Sequence, residues 1–95
     1  MKIFQGPKRS VPVNEAVLHC LAVPTGWYRG KTADDAADIV GKWHKARGFA
    51  RIGYHFLVMP DGSFADGRPL HEIGAHCIGK NVGTLGIALC ERLLS

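Results

Sequence analysis

Apolar residues in this chain gather in short runs separated by glycine, proline and charge. The first clear run is AVLHCLAV, residues 16–23, closed by Pro24. Its length and β-branched content predict a buried strand rather than a helix. The loop VPTGWYRGK follows, and then the period changes. In TADDAADIVGKWHKARG, Ala33, Ala36, Ala37, Val40, Trp43 and His44 recur at helical spacing. Thr32 is a good N-cap, and Asp34 and Asp35 fall in the first turn, where the helix dipole favours acids. Lys42, Lys45 and Arg47 load the last turn, and Gly48 stops it. A helix opening at Thr32 and ending at Gly48 is therefore predicted.

Beyond Gly48 the period shortens again. GYHFLVM reads as a strand, PDG as a turn and SFADGR as a short second strand, together a hairpin. GAHCIGKNVG is a glycine-rich loop, and TLGIALC, Thr84 to Cys90, is another short buried strand. The order strand, helix, hairpin, strand predicts the α/β class: a mixed β-sheet with one main helix packed on it. At 95 residues the chain suits a single domain, 1–95, with no internal repeat.

Composition narrows the function classes. The chain is 46% hydrophobic and 21% charged, as in globular proteins. No apolar run approaches the roughly 18 residues of a membrane span, so no membrane partner is expected. MKIFQGPKRS lacks the apolar core of a secretory signal, which predicts synthesis in the cytoplasm without a signal peptide. The net charge of +4 is spread over scattered Lys and Arg, and no nucleic-acid motif matches, so no nucleic-acid partner is expected. Three cysteines, Cys20, Cys77 and Cys90, form no C-x-x-C pair; each sits among apolar neighbours and reads as a buried free thiol.

Histidines carry the candidate chemistry. His19 inside AVLHCLA is either a satisfied core histidine or a metal ligand at the end of a strand. Tyr54 and His55 stand together in GYHF, and in a strand they face opposite sides. PLHEIGAHCIGKN, residues 69–81, looks like the zinc-protease pattern H-E-x-x-H but places His76 five positions after His71. In a helix that separation turns the second side chain by about 140° from the first. Gly74 and Gly79 also disfavour a helix there, so this is no zinc-protease site. His71 and Glu72 read as incidental, and His76 as a loop residue beside a cleft. His44, in the helix's last turn, complements the dipole. Ser63 and Ser95 lack the G-x-S-x-G context of a serine hydrolase. Gly79, Gly83 and Gly86 do not open a helix after a strand, as a phosphate loop must.

Taken in order, AVLHCLAV and DIVGKWHKARGFARIGYHFLVMPDGSFADGRPLHEIGAHCIGKNVGTLGIAL resemble the zinc-dependent N-acetylmuramoyl-L-alanine amidases. The chain is most similar to the phage lysozymes of amidase type, which share their fold with peptidoglycan recognition proteins. The likeness runs from about Val17 to Leu89; WHKARGF, IGYHF, DG, GR, GAH, GKN and LGIAL keep family order and spacing. It implies hydrolysis of the amide between N-acetylmuramic acid and the L-alanine of the stem peptide, with peptidoglycan or muropeptide as partner. It also implies a catalytic zinc with an open position for water. By resemblance His19 is a zinc ligand, Tyr54 lies near the zinc-bound water, His76 lines the catalytic site and Asn81 lies on the substrate groove.

The likeness stops at CERLLS. The family's second zinc histidine, its third ligand and a further helix lie beyond that point in its members. The sequence therefore reads as an amidase-like domain truncated at its C-terminus, with two of the three expected zinc ligands absent. No spacing selects Cys90, Cys77, His71 or His76 as replacements. Two functions follow as alternatives: a peptidoglycan amidase acting on the cell wall, or a non-catalytic module that binds muropeptide or protein. A sheet without its second covering layer predicts an exposed apolar face and a homo-oligomer.

Overall fold

The computed structural model describes residues 12–77 and 79–91. Its one long element is α1, Ala33–Ala46, and its start is fixed locally. The Thr32 hydroxyl accepts from the Asp35 N–H at 3.0 Å, and the Asp35 carboxylate accepts from the Thr32 N–H at 3.0 Å, a capping box. Gly48, at φ +96°, lets the chain turn away after the helix.

Among the described residues four strands form one sheet: β1 (Glu15–Cys20), β2 (Phe56–Val58), β3 (Phe64–Asp66) and β4 (Thr84–Leu89), in the order β1-β4-β2-β3. β4, last in sequence, lies in the middle and runs parallel to both β1 and β2; β3 is antiparallel to β2. The β2–β3 turn follows the predicted PDG chemistry. Asp61 Oδ1 accepts from the Ser63 N–H at 2.9 Å, and Gly62 takes φ +91°.

The register separates two faces. On one, Leu57, Ala65, Ala88 and Cys90 pack with Ala36 and Val40 of α1 as the core. α1 lies over β2 and β3. On the other face, Ala16, Leu18 and Cys20 align with Leu85, Ile87 and Leu89, next to Phe56, Val58 and Phe64. No helix among the described residues covers that face, and Leu18 and Phe64 are 63% and 60% exposed.

Two expectations change. The first strand is not buried: it ends at Cys20 and, among the described residues, lies at the sheet's edge with a neighbour on one side only. For the same reason Cys20 is exposed; Cys77 is half-buried, and only Cys90 is the expected buried thiol. Burial pushes the Cys90 thiol up to about 11. No helix among the described residues is long and apolar enough to cross a membrane.

Candidate active site

α1 covers the β2–β3 half of its sheet face and leaves the β1 edge of that face open. His19 points there, since its partner in the register is the core residue Ala88. His76 reaches the same place from the loop before β4. The glycines of β4 and of the preceding loop make room for it: a Cβ on Gly86 would lie 2.4 Å from His76 Cγ, and one on Gly74 would lie 2.6 Å from its Cδ2. Glycine inside a strand marks such a close approach, a signal present in TLGIALC and overlooked in reading it.

His19 Nε2 lies 3.0 Å from His76 Nδ1. The hydrogen-bond pattern assigns the proton between them. Thr84 donates its hydroxyl hydrogen to the Lys80 carbonyl and so can only accept from His76 Nε2–H, 3.3 Å away. His76 Nδ1 is then the acceptor and His19 Nε2–H the donor. The pair sits under Tyr54, whose ring centroid is 5.3 Å from that of His19 and 6.5 Å from that of His76. Burial raises the Tyr54 pKa, so its hydroxyl remains a neutral donor. Burial also lowers the His19 pKa, favouring the uncharged imidazole.

Asn81 holds the turn that carries His76. Its Oδ1 accepts from the N–H groups of His76 and Cys77 at 2.9 and 3.0 Å. That leaves the amide NH2 as the donor it can offer a ligand. His76, Tyr54 and Asn81 line a cleft of about 560 Å³ together with His44, Arg47, Phe49, Ala75 and Cys77.

His44 belongs to this cleft rather than merely to the helix end. Gly53 N–H donates to its Nδ1 at 2.8 Å, which fixes the neutral Nε2–H form. Burial, reinforced by the charges of Arg47 and Arg68, lowers its pKa. His55 is fully buried in a structural role: its Nδ1 accepts from Gly86 N–H at 3.1 Å, so its Nε2–H donates to the Glu72 carbonyl at 2.8 Å. Tyr54 and His55 both precede β2, outside the strand in which opposite facing was expected.

Glu72 is not incidental. Its carboxylate is wholly buried between Arg68 and Arg51, each 3.9 Å away. Arg68 also donates to the carbonyls of Ile52 and Ile73 at 3.1 and 2.8 Å, tying the segment before Tyr54 to the loop before His76. His71, by contrast, is exposed.

Among the described residues no group of three His, Cys, Asp or Glu side chains comes together to hold a metal. His19 has only His76 beside it as a further candidate ligand, its Nε2 lying 3.0 Å from His76 Nδ1. The described residues therefore do not fit a zinc centre with three protein ligands.

No family model matches the chain. Among known proteins, it is 30% identical over 76 residues to an endolysin of Klebsiella phage KP32, a match covering 80% of this chain and 46% of that one. In structure it is similar to the N-acetylmuramoyl-L-alanine amidase LysC from Clostridium intestinale, with TM-score 0.69, 31% identity, and 85% and 48% of the two chains covered. It is also similar to a complex of peptidoglycan recognition proteins LCa and LCx with bound tracheal cytotoxin, at TM-score 0.77 and 30% identity, covering 94% and 54%. The chain spans about half the length of these relatives.

Proposed function

The chain belongs to the family of N-acetylmuramoyl-L-alanine amidases, phage endolysins and peptidoglycan recognition proteins, and from that premise we propose that its cleft binds peptidoglycan at the junction of N-acetylmuramic acid and the stem peptide. The observation carrying this reading is the convergence of Tyr54 and His76 at one open cleft, with His19 hydrogen-bonded to His76 beside it, on a fold shared with amidase relatives. A muropeptide offers amide and carboxylate groups together with sugar hydroxyls. The cleft offers the Tyr54 hydroxyl, His44 Nε2–H and the Asn81 amide as neutral donors, with apolar walls from Phe49 and Ala75.

The reaction assigned to this site is hydrolysis of the amide between the lactyl group and L-alanine. In this reading Tyr54 donates to the oxygen of the amide carbonyl as negative charge develops there, and His76 positions the substrate or contacts that oxygen. Zinc is the cofactor that the family implies, and the ligand role would fall to His19. The described residues do not complete such a centre.

The test incubates the protein with purified peptidoglycan, with and without added zinc. Co-sedimentation measures binding, and mass spectrometry measures release of stem peptide. Binding with zinc-dependent release supports the amidase. Binding without release reduces the function to recognition, and absence of binding removes both.

A second reading concerns assembly. Among the described residues, the sheet face opposite α1 is uncovered and carries Leu18 and Phe64, both largely exposed, and the β1 edge is open, which together favour association with a second copy. Sedimentation velocity should show dimers or larger species; a monomer at high micromolar concentration contradicts it.

A further inference from the structure

A second cavity lies on the flank of α1 toward β3. It holds about 340 Å³ between the helix, the segment after it and the end of β3, and it shares no lining residue with the histidine cleft. Gly41, in the middle of α1, lines it. Glycine in a helix interior costs about 0.5–1 kcal/mol relative to alanine. A Cβ at Gly41 would meet only Ile52 Cβ, at 3.9 Å, an ordinary contact. Packing therefore gives no reason for glycine at this position. The cavity does, since a side chain longer than a methyl group would enter it.

Opposite charges surround that space. Lys42 and Lys45 of α1 and Arg51 beyond it are cationic, and Asp38 and Asp66 are acidic. Asp38, Lys42 and Lys45 follow one another at four and three positions, along one stripe of the helix. Asp38 and Lys42 stand about 6 Å apart along the axis, the spacing that favours an ion pair. Yet among the described residues Asp38, Lys42, Lys45 and Asp66 belong to no ion pair. Arg51 does: its guanidinium lies 3.9 Å from the wholly buried Glu72 carboxylate, which holds it at the cavity wall. One cation is thus preorganised, and the other charges are available to a ligand.

We propose that this cavity binds a small phosphomonoester that also carries a primary amine. The phosphate lies among Lys42, Lys45 and Arg51, and the ammonium at Asp38 and Asp66. With three cations and two carboxylates the cavity carries a net +1. A phosphomonoester holds about −1.5 to −2 near pH 7, and an ammonium group offsets about one unit of that, so the ligand's net charge complements the cavity's. A phosphate suits three cations better than a carboxylate does. It presents three terminal oxygens to a forked guanidinium and two ammonium groups. The two acids disfavour a plain polyanion, which they would repel. This site does not depend on what the histidine cleft binds.

The test is calorimetric titration of the full chain with three probes. They are O-phosphoethanolamine, glycerol phosphate, which lacks the amine, and glycerophosphoethanolamine, a diester with one phosphate charge fewer. The unaltered protein should bind O-phosphoethanolamine about tenfold more tightly than either of the others, the scale of one charge-assisted contact. Asp38→Asn should bring its ratio to glycerol phosphate close to one. Gly41→Leu, which fills the cavity from its helix side, should weaken binding by about tenfold or more, as should Lys45→Ala. Leucine is the better helix former, so the melting temperature of Gly41→Leu should not fall. Lys45→Ala makes the same test where leucine at that position disturbs the helix. Equal binding of the three probes, no binding of O-phosphoethanolamine, or an affinity that survives both Gly41→Leu and Lys45→Ala overturns the proposal.

Discussion

Placing a single methyl group on β4, by Gly86→Ala, should dismantle the histidine pair while leaving the domain folded. The new Cβ would lie 2.4 Å from His76 Cγ, 2.5 Å from Cδ2 and 2.9 Å from Nδ1. Carbon atoms settle about 3.5–4.0 Å apart, so the ring must retreat by roughly 1 Å or more. It cannot do so with its bonds intact: one nitrogen is 3.0 Å from His19 and the other 3.3 Å from Thr84, and its backbone is pinned by Asn81. Overpacking costs about 1–3 kcal/mol, and each side-chain hydrogen bond lost about 0.5–1.5 kcal/mol. These overlap, giving roughly 2–4 kcal/mol against the ~5–15 kcal/mol that holds a typical domain together. A domain of this size should lose several degrees of melting temperature for each ~1 kcal/mol. Thermal unfolding gives the first readout, and imidazole nitrogen NMR, which reports the His19–His76 hydrogen bond, the second. Gly41→Ala is the control. Its Cβ would meet only Ile52 Cβ at 3.9 Å, and alanine in a helix interior should gain about 0.5–1 kcal/mol. A Gly86→Ala protein with unchanged stability and an intact hydrogen bond between the two histidines would refute the reasoning.

The other predictions concern burial and charge. Glu72→Ala should destabilise by about 3–5 kcal/mol in denaturant titration, because it strands the buried Arg68 guanidinium, and Glu72→Gln by less. His44 protonates less readily in the folded chain than at its ordinary 6.5, chiefly through burial. The unfolded chain therefore takes up the proton first, and stability should fall as pH drops through 6.5 until the lower folded value is reached. His44→Asn should shallow that slope; His19 shares the direction, so part of it should persist. Thiol labelling in the native state should proceed Cys20, then Cys77, then Cys90, following exposure. Because the Cys90 pKa rises from 9.0 to about 11 on folding, stability should fall as pH climbs above 9, and Cys90→Ala should remove that fall; equal labelling rates for all three thiols contradict the burial pattern.

What could be read from the sequence is what is encoded locally. The capping box needs only Thr32 and Asp35, and the hairpin turn only Asp61, Gly62 and Ser63, so both appear where the pattern places them. Strand order is different in kind. β4 enters between β1 and β2 because its register satisfies partners far apart in sequence, and no window of residues contains that information. The open face of β1 follows from that order, which is why a run as apolar as AVLHCLAV carries an exposed Leu18 and Cys20. Family likeness, rather than spacing, singled out His19, Tyr54 and His76. Spacing misled at PLHEIGAHCIGKN, where attention to a metal motif treated His71 and Glu72 as a pair. The fold divides them, sending His71 to solvent and Glu72 to the centre of an arginine clamp. That clamp is also the physical reason the site exists where it does. Arg68 joins the segment before Tyr54 to the loop before His76. His55 joins that loop to β4 through the Glu72 carbonyl and Gly86, and Gly86 leaves the space His76 fills. The cleft is thus held from beneath by residues that do not line it, so substitutions at Glu72 or Gly86 should reach the histidine pair without replacing any residue that lines the cleft.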